Sequence, residues 1–307
     1  MATENNSPFG RAAGRELPFP ETLPGLDALP DVFRHALSAS LPGPEVEPLA
    51  IVYTPPFATT GFNAPDSVLV LRESDWAVAW GSFDTGIDVR GGPMAGIAKI
   101  ELSQVLLEGS LKIEHEMDPP EGSAQVLFNL VGLDIFRAIT ENLLAGLPQS
   151  AEPLLNALPP LTMKSEAWRS LTFKLGSALL DAIPTGDAVR AIVSWPAVHV
   201  EGLLWRQGLA APAGLLAVTE RYLCVIVDAI PLQRDEIASS LSQYGKVVTY
   251  LSRRGGVRWA SANEESGARV TLNVGSAAAR AIGLELQVPS ASVPAIESVL
   301  MRLGSEI

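Results

Sequence analysis

The chain has 307 residues, about twice the length of a typical single domain, with 47% apolar, 18% charged and 6% aromatic residues. That composition builds globular cores and excludes disordered and fibrous classes. A formal net charge of −12 argues against a general nucleic-acid or anionic-membrane binder, and the single cysteine, Cys224, excludes a disulfide scaffold.

Residues 1–28 are rich in Gly, Ser, Pro and Asn and carry no apolar run after the start, which predicts a flexible arm without a signal peptide. No window reaches the ~18 uninterrupted apolar residues of a membrane-spanning helix. The longest apolar stretch, 191–205, is broken by Pro196, His199 and Glu201. A cytoplasmic location is the expectation.

Residues 29–41 predict a helix. The runs SVLVLR and WAVAWGS around a polar turn predict a hairpin, followed by further short strands. Leu133, Phe136, Ile139, Leu143 and Leu144 recur at helical spacing, and Gly146 and Pro148 close that helix. The segment 148–161 holds four prolines among its 14 residues and reads as a linker. A long helix is expected over 166–183. LLAVTER and YLCVIVDA then predict a second hairpin, and GKVVTYLS, VRWAS and ARVTLNV predict more strands. AIGLELQVP (281–289) reads as an added strand, and Val293, Ile296, Val299, Leu300 and Leu303 form the stripe of a closing helix.

The same unit is written twice. ALSASLP (36–42) answers ALLDAIP (178–184) at an offset of 142, and LAIVYTPP (49–56) answers RAIVSWPA (190–197) at 141. Residues 66–80 answer 213–227 at 147, 96–103 answer 245–252 at 149, and 124–129 answer 268–273 at 144. Strands first and helix last define an α+β fold and speak against a Rossmann-type sheet. The expected organisation is an arm (1–28), copy one (29–147), a linker (148–161) and copy two (162–307). Each copy is a small antiparallel barrel or curled sheet capped by a C-terminal helix.

Charge divides the copies. Residues 1–150 hold 8 Lys and Arg against 20 Asp and Glu, whereas residues 151–307 hold 14 of each. An acidic and a neutral copy can recognise different partners or meet one another.

At the hairpin 215–227 followed by YGKVVTYLS, the chain resembles the bacterial pleckstrin-homology-like (PH/GRAM-like) superfamily, in two tandem copies. Thr219, Glu220 and Arg221 fit the turn that joins two early strands in such domains, while copy one reads Arg72, Glu73, Ser74 there. The resemblance implies an antiparallel barrel plugged by its last helix, and an interaction module for peptides, proteins or lipid headgroups.

The candidate ligand-binding residues are Lys246, Arg253, Arg254 and Arg258, joined by Arg269, around the turn LSRRGGVRWAS. Guanidinium groups beside turn amides suit phosphate or carboxylate. The alternative role for this cluster is pairing with the acidic copy. Glu114, His115, Glu116 and Asp118 could ligate a cation, but a strand would turn Glu114 and Glu116 to one face and His115 to the other. No HxH or HExxH spacing involves His35, His115 or His199, and each reads as a structural histidine. Cys224 shares a strand face with Tyr222 and Ile226 and reads as a buried thiol. GxSxG, GxxxxGK[ST] and GxGxxG are missing, so no cofactor is expected. Trp76 and Trp80 share a face and, with Trp195, Trp205 and Trp259, read as core.

These residues predict a non-catalytic binding or scaffolding module for a protein or peptide, taken along a sheet edge or beside the closing helix. Anion or lipid-headgroup binding at the basic turn is one alternative. A hydrolase with a site between the copies, using Glu114, His115 or Asp118, is the other.

Overall fold

A computed structural model describes residues 19–41, 46–59, 62–82, 86–105, 107–116, 123–148, 159–201, 207–228, 245–254, 256–264, 267–275 and 282–303. The protein is α+β, and every strand pairing among these residues is antiparallel. No helix among them is long and apolar enough to cross a membrane.

The first half begins with β1 (Glu21–Thr22), α1 (Asp31–Ser40) and β2 (Ala50–Thr54). A small hairpin, β3 (Phe57–Thr59) and β4 (Phe62–Ala64), leads to β5 (Asp66–Leu71), β6 (Asp75–Ser82) and β7 (Gly86–Pro93). Then come β8 (Ile97–Val105), β9 (Glu108–His115), β10 (Ser123–Asn129) and α2 (Leu133–Gly146). The second half opens with α3 (Glu166–Arg169) and α4 (Phe173–Ala182). Its strands are β11 (Ala191–Trp195), the hairpin β12 (Val198–Glu201) and β13 (Gln207–Ala211), β14 (Gly214–Val218), β15 (Tyr222–Asp228) and β16 (Gly245–Ser252). β17 (Val257–Glu264), β18 (Gly267–Val274), β19 (Ile282–Val288) and α5 (Val293–Leu300) complete it.

Burial explains the sequence patterns. β5 and β14 are buried at every position, and their runs VLVL and LLAV do not alternate because both of their faces are covered. β9, β10 and β18 alternate because one face meets solvent. Phe33 and Leu37 of α1 seal the outer face of β5 and β6 through Val68, Val70, Ala77 and Ala79. Burying each such side chain contributes about 1.5–3 kcal/mol. On the inner face, Leu69, Leu71, Trp76 and Val78 join Ile100, Leu111, Val126 and Phe128. Phe136 of α2 stacks on Phe128 with ring centroids 3.8 Å apart.

The two halves share a sheet. Its seven strands run β10-β9-β8-β16-β15-β14-β11, and the seam is β8 against β16, from Gly245 opposite Val105 to Leu251 opposite Lys99. α4 packs Leu175, Ala178 and Leu179 into the same core as α2, so one apolar cluster draws residues from both halves. The first sheet runs β1-β2-β5-β6-β7 and the third runs β17-β18-β19.

Both halves follow one order of elements: helix, strand, small hairpin, six strands, a short 3-10 turn and a closing helix. In that order 281–289 is not an addition, because β19 is the counterpart of β10. The sequence matches of 96–103 with 245–252 and of 124–129 with 268–273 likewise join elements of different rank. β8 corresponds to β17 and β10 to β19. The shift arises between β15 and β16, where residues 229–244 stand in place of residues 83–85.

Two other expectations change. The helix expected over 166–183 is broken, because Thr172 is extended (φ −62, ψ 154) and its side chain caps Leu175 N at 3.3 Å. The arm expected over 1–28 is ordered at its end, where Glu21 and Thr22 pair with Tyr53 and Val52. Residues 1–18 and 149–158 lie outside the described residues.

Candidate functional site

The basic residues near 246–258 do not converge. Lys246 is the second residue of β16 and Arg253 follows its end, seven positions or roughly 23 Å apart at strand rise. Lys246 contacts Asp181 at 3.4 Å, and burial lowers its ammonium pKa, with Asp181 opposing the shift. Arg253 is 1% exposed and donates from Nη1 to Thr219 O (3.0 Å) and Glu220 O (3.1 Å). It is a staple for the β14–β15 turn. Arg254 is exposed and donates to Ala95 O of the first half, and Arg258 is exposed on β17. Arg269 pairs with Glu264.

The turn residues carry structure as well. Thr219 Oγ1 accepts from Tyr222 N at 3.1 Å and donates to Tyr222 O at 2.9 Å, closing the four-residue link. In the first half, Arg72 N donates to Asp75 O in the same place. Glu220 pairs with Arg190, and Arg221 reaches Ala145 O at the end of α2.

Glu114 and His115 stand on opposite faces of β9. Burial alone would raise the Glu114 pKa, but Lys112 (2.7 Å) and Lys99 (3.1 Å) outweigh it and hold the carboxyl below its usual range. His115 sits 3.1 Å from Pro93 O, and burial lowers its pKa. Asp118 lies outside the described residues, and no group of three metal-ligating side chains occurs among those described. Cys224 is buried beside Tyr222 and Ile226, and desolvation pushes its thiol up. Tyr222 donates to Asp187 at 2.8 Å and Tyr250 to Ala182 O at 2.8 Å. His35 bonds Asp31 O within α1. The side chain of His199 and residue Trp205 lie outside what is described.

At the seam, Gln104, Arg137, Glu141, Asp181 and Lys246 surround a cavity of about 20 Å³. That is room for about one water. A larger space, about 310 Å³, runs beside α4 between Phe173, Leu175, Ala178 and Ile226, with the Lys174–Asp228 pair (2.7 Å) at its rim.

The cleft with the most chemistry lies at the far end of the central sheet. It measures about 340 Å³ and is bordered by Pro65, Ser67, Trp80, Lys112, Gln125 and Leu127, with Ser123 and Ala124 beside them. Neighbouring residues of β10 point to opposite faces, so a wall containing 123, 124 and 125 is the main-chain edge of the strand. β10 pairs with β9 on one side only. No other backbone hydrogen bond reaches residues 123–129 among the described residues.

Opposite that edge, Thr54 pairs with Ser67 and Ser67 with Trp80 across β2, β5 and β6, which sets the three side chains in one row. Thr54 is 1% and Ser67 3% exposed, and neither hydroxyl has a hydrogen-bond partner among the described residues. Sequence reading placed Trp80 in the core with Trp76. Trp76 is fully buried, and Trp80 is half-buried, packed against the same core cluster while also bordering the cleft. The available signal was Ser67, a hydroxyl inside the apolar run DSVLVL.

On the other face of the same strands, Asp66 is buried, and desolvation raises its pKa to about 6 against a hydrogen bond from Tyr53 that lowers it. The folded state therefore binds more protons than the unfolded chain between about pH 4 and 6, and Asp66 removes stability as pH rises through that window. Asp66→Asn is expected to match the parent near pH 4 and to be more stable by about 1–3 kcal/mol at pH 7. Urea unfolding across that range measures the difference, and an advantage that shrinks with rising pH contradicts it.

Scanned against protein-family models, the chain matches none, and searches of the curated proteins and of the solved structures likewise return no match.

Proposed function

We propose that the protein is a non-catalytic binding module of two pleckstrin-homology-like units, and that its ligand is a protein or peptide taken along a sheet edge. The observation that carries this reading is the main-chain edge of β10, unpaired among the described residues, beside a cleft bordered by Ser67, a buried hydroxyl with no hydrogen-bond partner among them. Two features support the pleckstrin-homology-like assignment. In the second half, β11-β14-β15-β16 form a four-strand run in the order 1-2-3-4, and β17-β18-β19 form a three-strand run. A helix closes each half onto its strands, with Phe136, Ile139 and Leu143 in the first and Ile296 and Leu300 in the second. Edge strands offer free N–H and C=O groups to an added chain.

Three of the chemically active side chains serve the fold. Arg253 staples a turn, Glu114 is held by two lysines and Cys224 is fully buried. The test is recovery of the tagged full chain from its native cells with cross-linking mass spectrometry. A stoichiometric protein partner is expected. Turnover of a substrate that one Glu or His replacement abolishes would overturn the reading.

A further inference from the structure

We infer that the β10 cleft takes an extended, basic peptide segment of another protein as an eighth strand of the central sheet. This rests on the binding-module reading and adds its site and partner chemistry.

Three observations define the occupant. The first is the edge: Ser123, Ala124, Gln125 and Leu127 border the cleft on a strand that pairs on one side only, and five residues of it span roughly 17 Å, the length of five residues of extended peptide. A small molecule would use little of such a repeating row of donors and acceptors. A strand uses all of it.

The second is the shelf facing that edge. Trp80, Leu127 and Pro65 supply apolar surface, and Ser67 lies between them with Thr54 next in its row. Side chains of an added strand alternate between its two faces. One set would fall on Trp80 and reach the Ser67 hydroxyl, and the other would lie beside Gln125 and Lys112. A buried hydroxyl without a partner is costly, so a group that bonds Ser67 gains more here than at an exposed site. This places a polar side chain or a bent main-chain carbonyl next to an apolar residue that covers Trp80.

The third is charge. The only cation among the cleft-bordering residues, Lys112, is matched by Glu114 at 2.7 Å. Asp88 is the cross-strand partner of Trp80 and is exposed at the outer end of the row. Residues 1–150 carry 20 Asp and Glu against 8 Lys and Arg. Lys and Arg flanking the peptide complement that surface, and an acidic peptide is repelled.

The experiment selects a random 12-residue peptide library on the immobilised full chain and measures the affinity of the winners by calorimetry. The expected winners alternate apolar and polar residues and carry net positive charge. Deuterium exchange slows in residues 123–129 when they bind, and affinity falls as salt rises. Trp80→Ala weakens binding at least tenfold. Gln125→Lys, at an exposed position where the fold is indifferent, weakens it about threefold. Phe173→Ala, in the groove beside α4, leaves it unchanged. Winners that bind Gln125→Lys and Trp80→Ala as tightly as the parent, or that protect another segment, overturn this site while the module reading stands. Enrichment of acidic peptides overturns the charge assignment. If no peptide is enriched the inference fails, and the co-purification experiment then decides the module reading separately.

Discussion

Replacing Arg253 by Ala is expected to destabilise the protein by about 2–4 kcal/mol, the largest effect of any basic residue in the second half. Its guanidinium is 1% exposed and donates to two carbonyls of the β14–β15 turn. Removal leaves buried acceptors without donors, and that desolvation cost is what the measurement reads. Arg253→Lys restores the charge without the planar fork and recovers only part of the loss. Arg254→Glu and Arg258→Glu, at exposed positions, change stability by less than about 0.5 kcal/mol. Urea unfolding of the four variants checks the series. An Arg253→Ala variant within 0.5 kcal/mol of the parent, by the same scale, contradicts the staple.

Leu179→Ala is expected to cost about 3 kcal/mol and to lower the stability of both halves together. Leu179 is fully buried in the cluster that also holds Val126, Phe136, Cys224 and Val248. With the central sheet continuous across β8 and β16, neither half can open without exposing that cluster. Calorimetry should therefore give a single transition in the parent and a single, lower one in the variant. Two separated transitions, with only one moved by Leu179→Ala, would show that the halves unfold independently.

Much of this architecture is legible in the chain. Turn residues and apolar periodicity gave the hairpin strands β5, β6, β14 and β15, and the closing helices α2 and α5, because those signals are local. The strand-then-helix order gave the α+β class. The alignment of the two halves past β15 was not legible. Residues 229–244 shift the frame, and short apolar strands such as IAKIEL and VVTYLS resemble one another whatever their rank. Nor could the seam be read, since β8 and β16 are separated by about 140 residues and pair through their main chains, which carry no side-chain signature.

The site was partly legible. Lys246, Arg253, Arg254 and Arg258 are close in sequence, but strand geometry spreads them along β16 and over its end, and burial gives Arg253 a structural task. The cleft was missed because its walls come from β5, β6, β9 and β10, with lining residues spread from 65 to 127 of the chain. Periodicity marks Trp80 as apolar. It does not say that the sheet above it ends at β10.

The joint between the halves has a direction, because β8 of one meets β16 of the other, and such head-to-tail contacts can repeat without limit. Here the side chains at the joint are not repeated on the outward edges. Arg137, Asp181, Lys246 and Gln104 meet at the joint. By element order, their counterparts on the outward side are Glu297 and Glu264, and on the opposite outward side Ala39 and Ile87. Glu297 already accepts from Ser261 at 2.6 Å, and Glu264 already holds Arg269. Two carboxylates against two apolar residues make no ionic match, so a further contact of the same polarity would lack the ion pairs that accompany this joint.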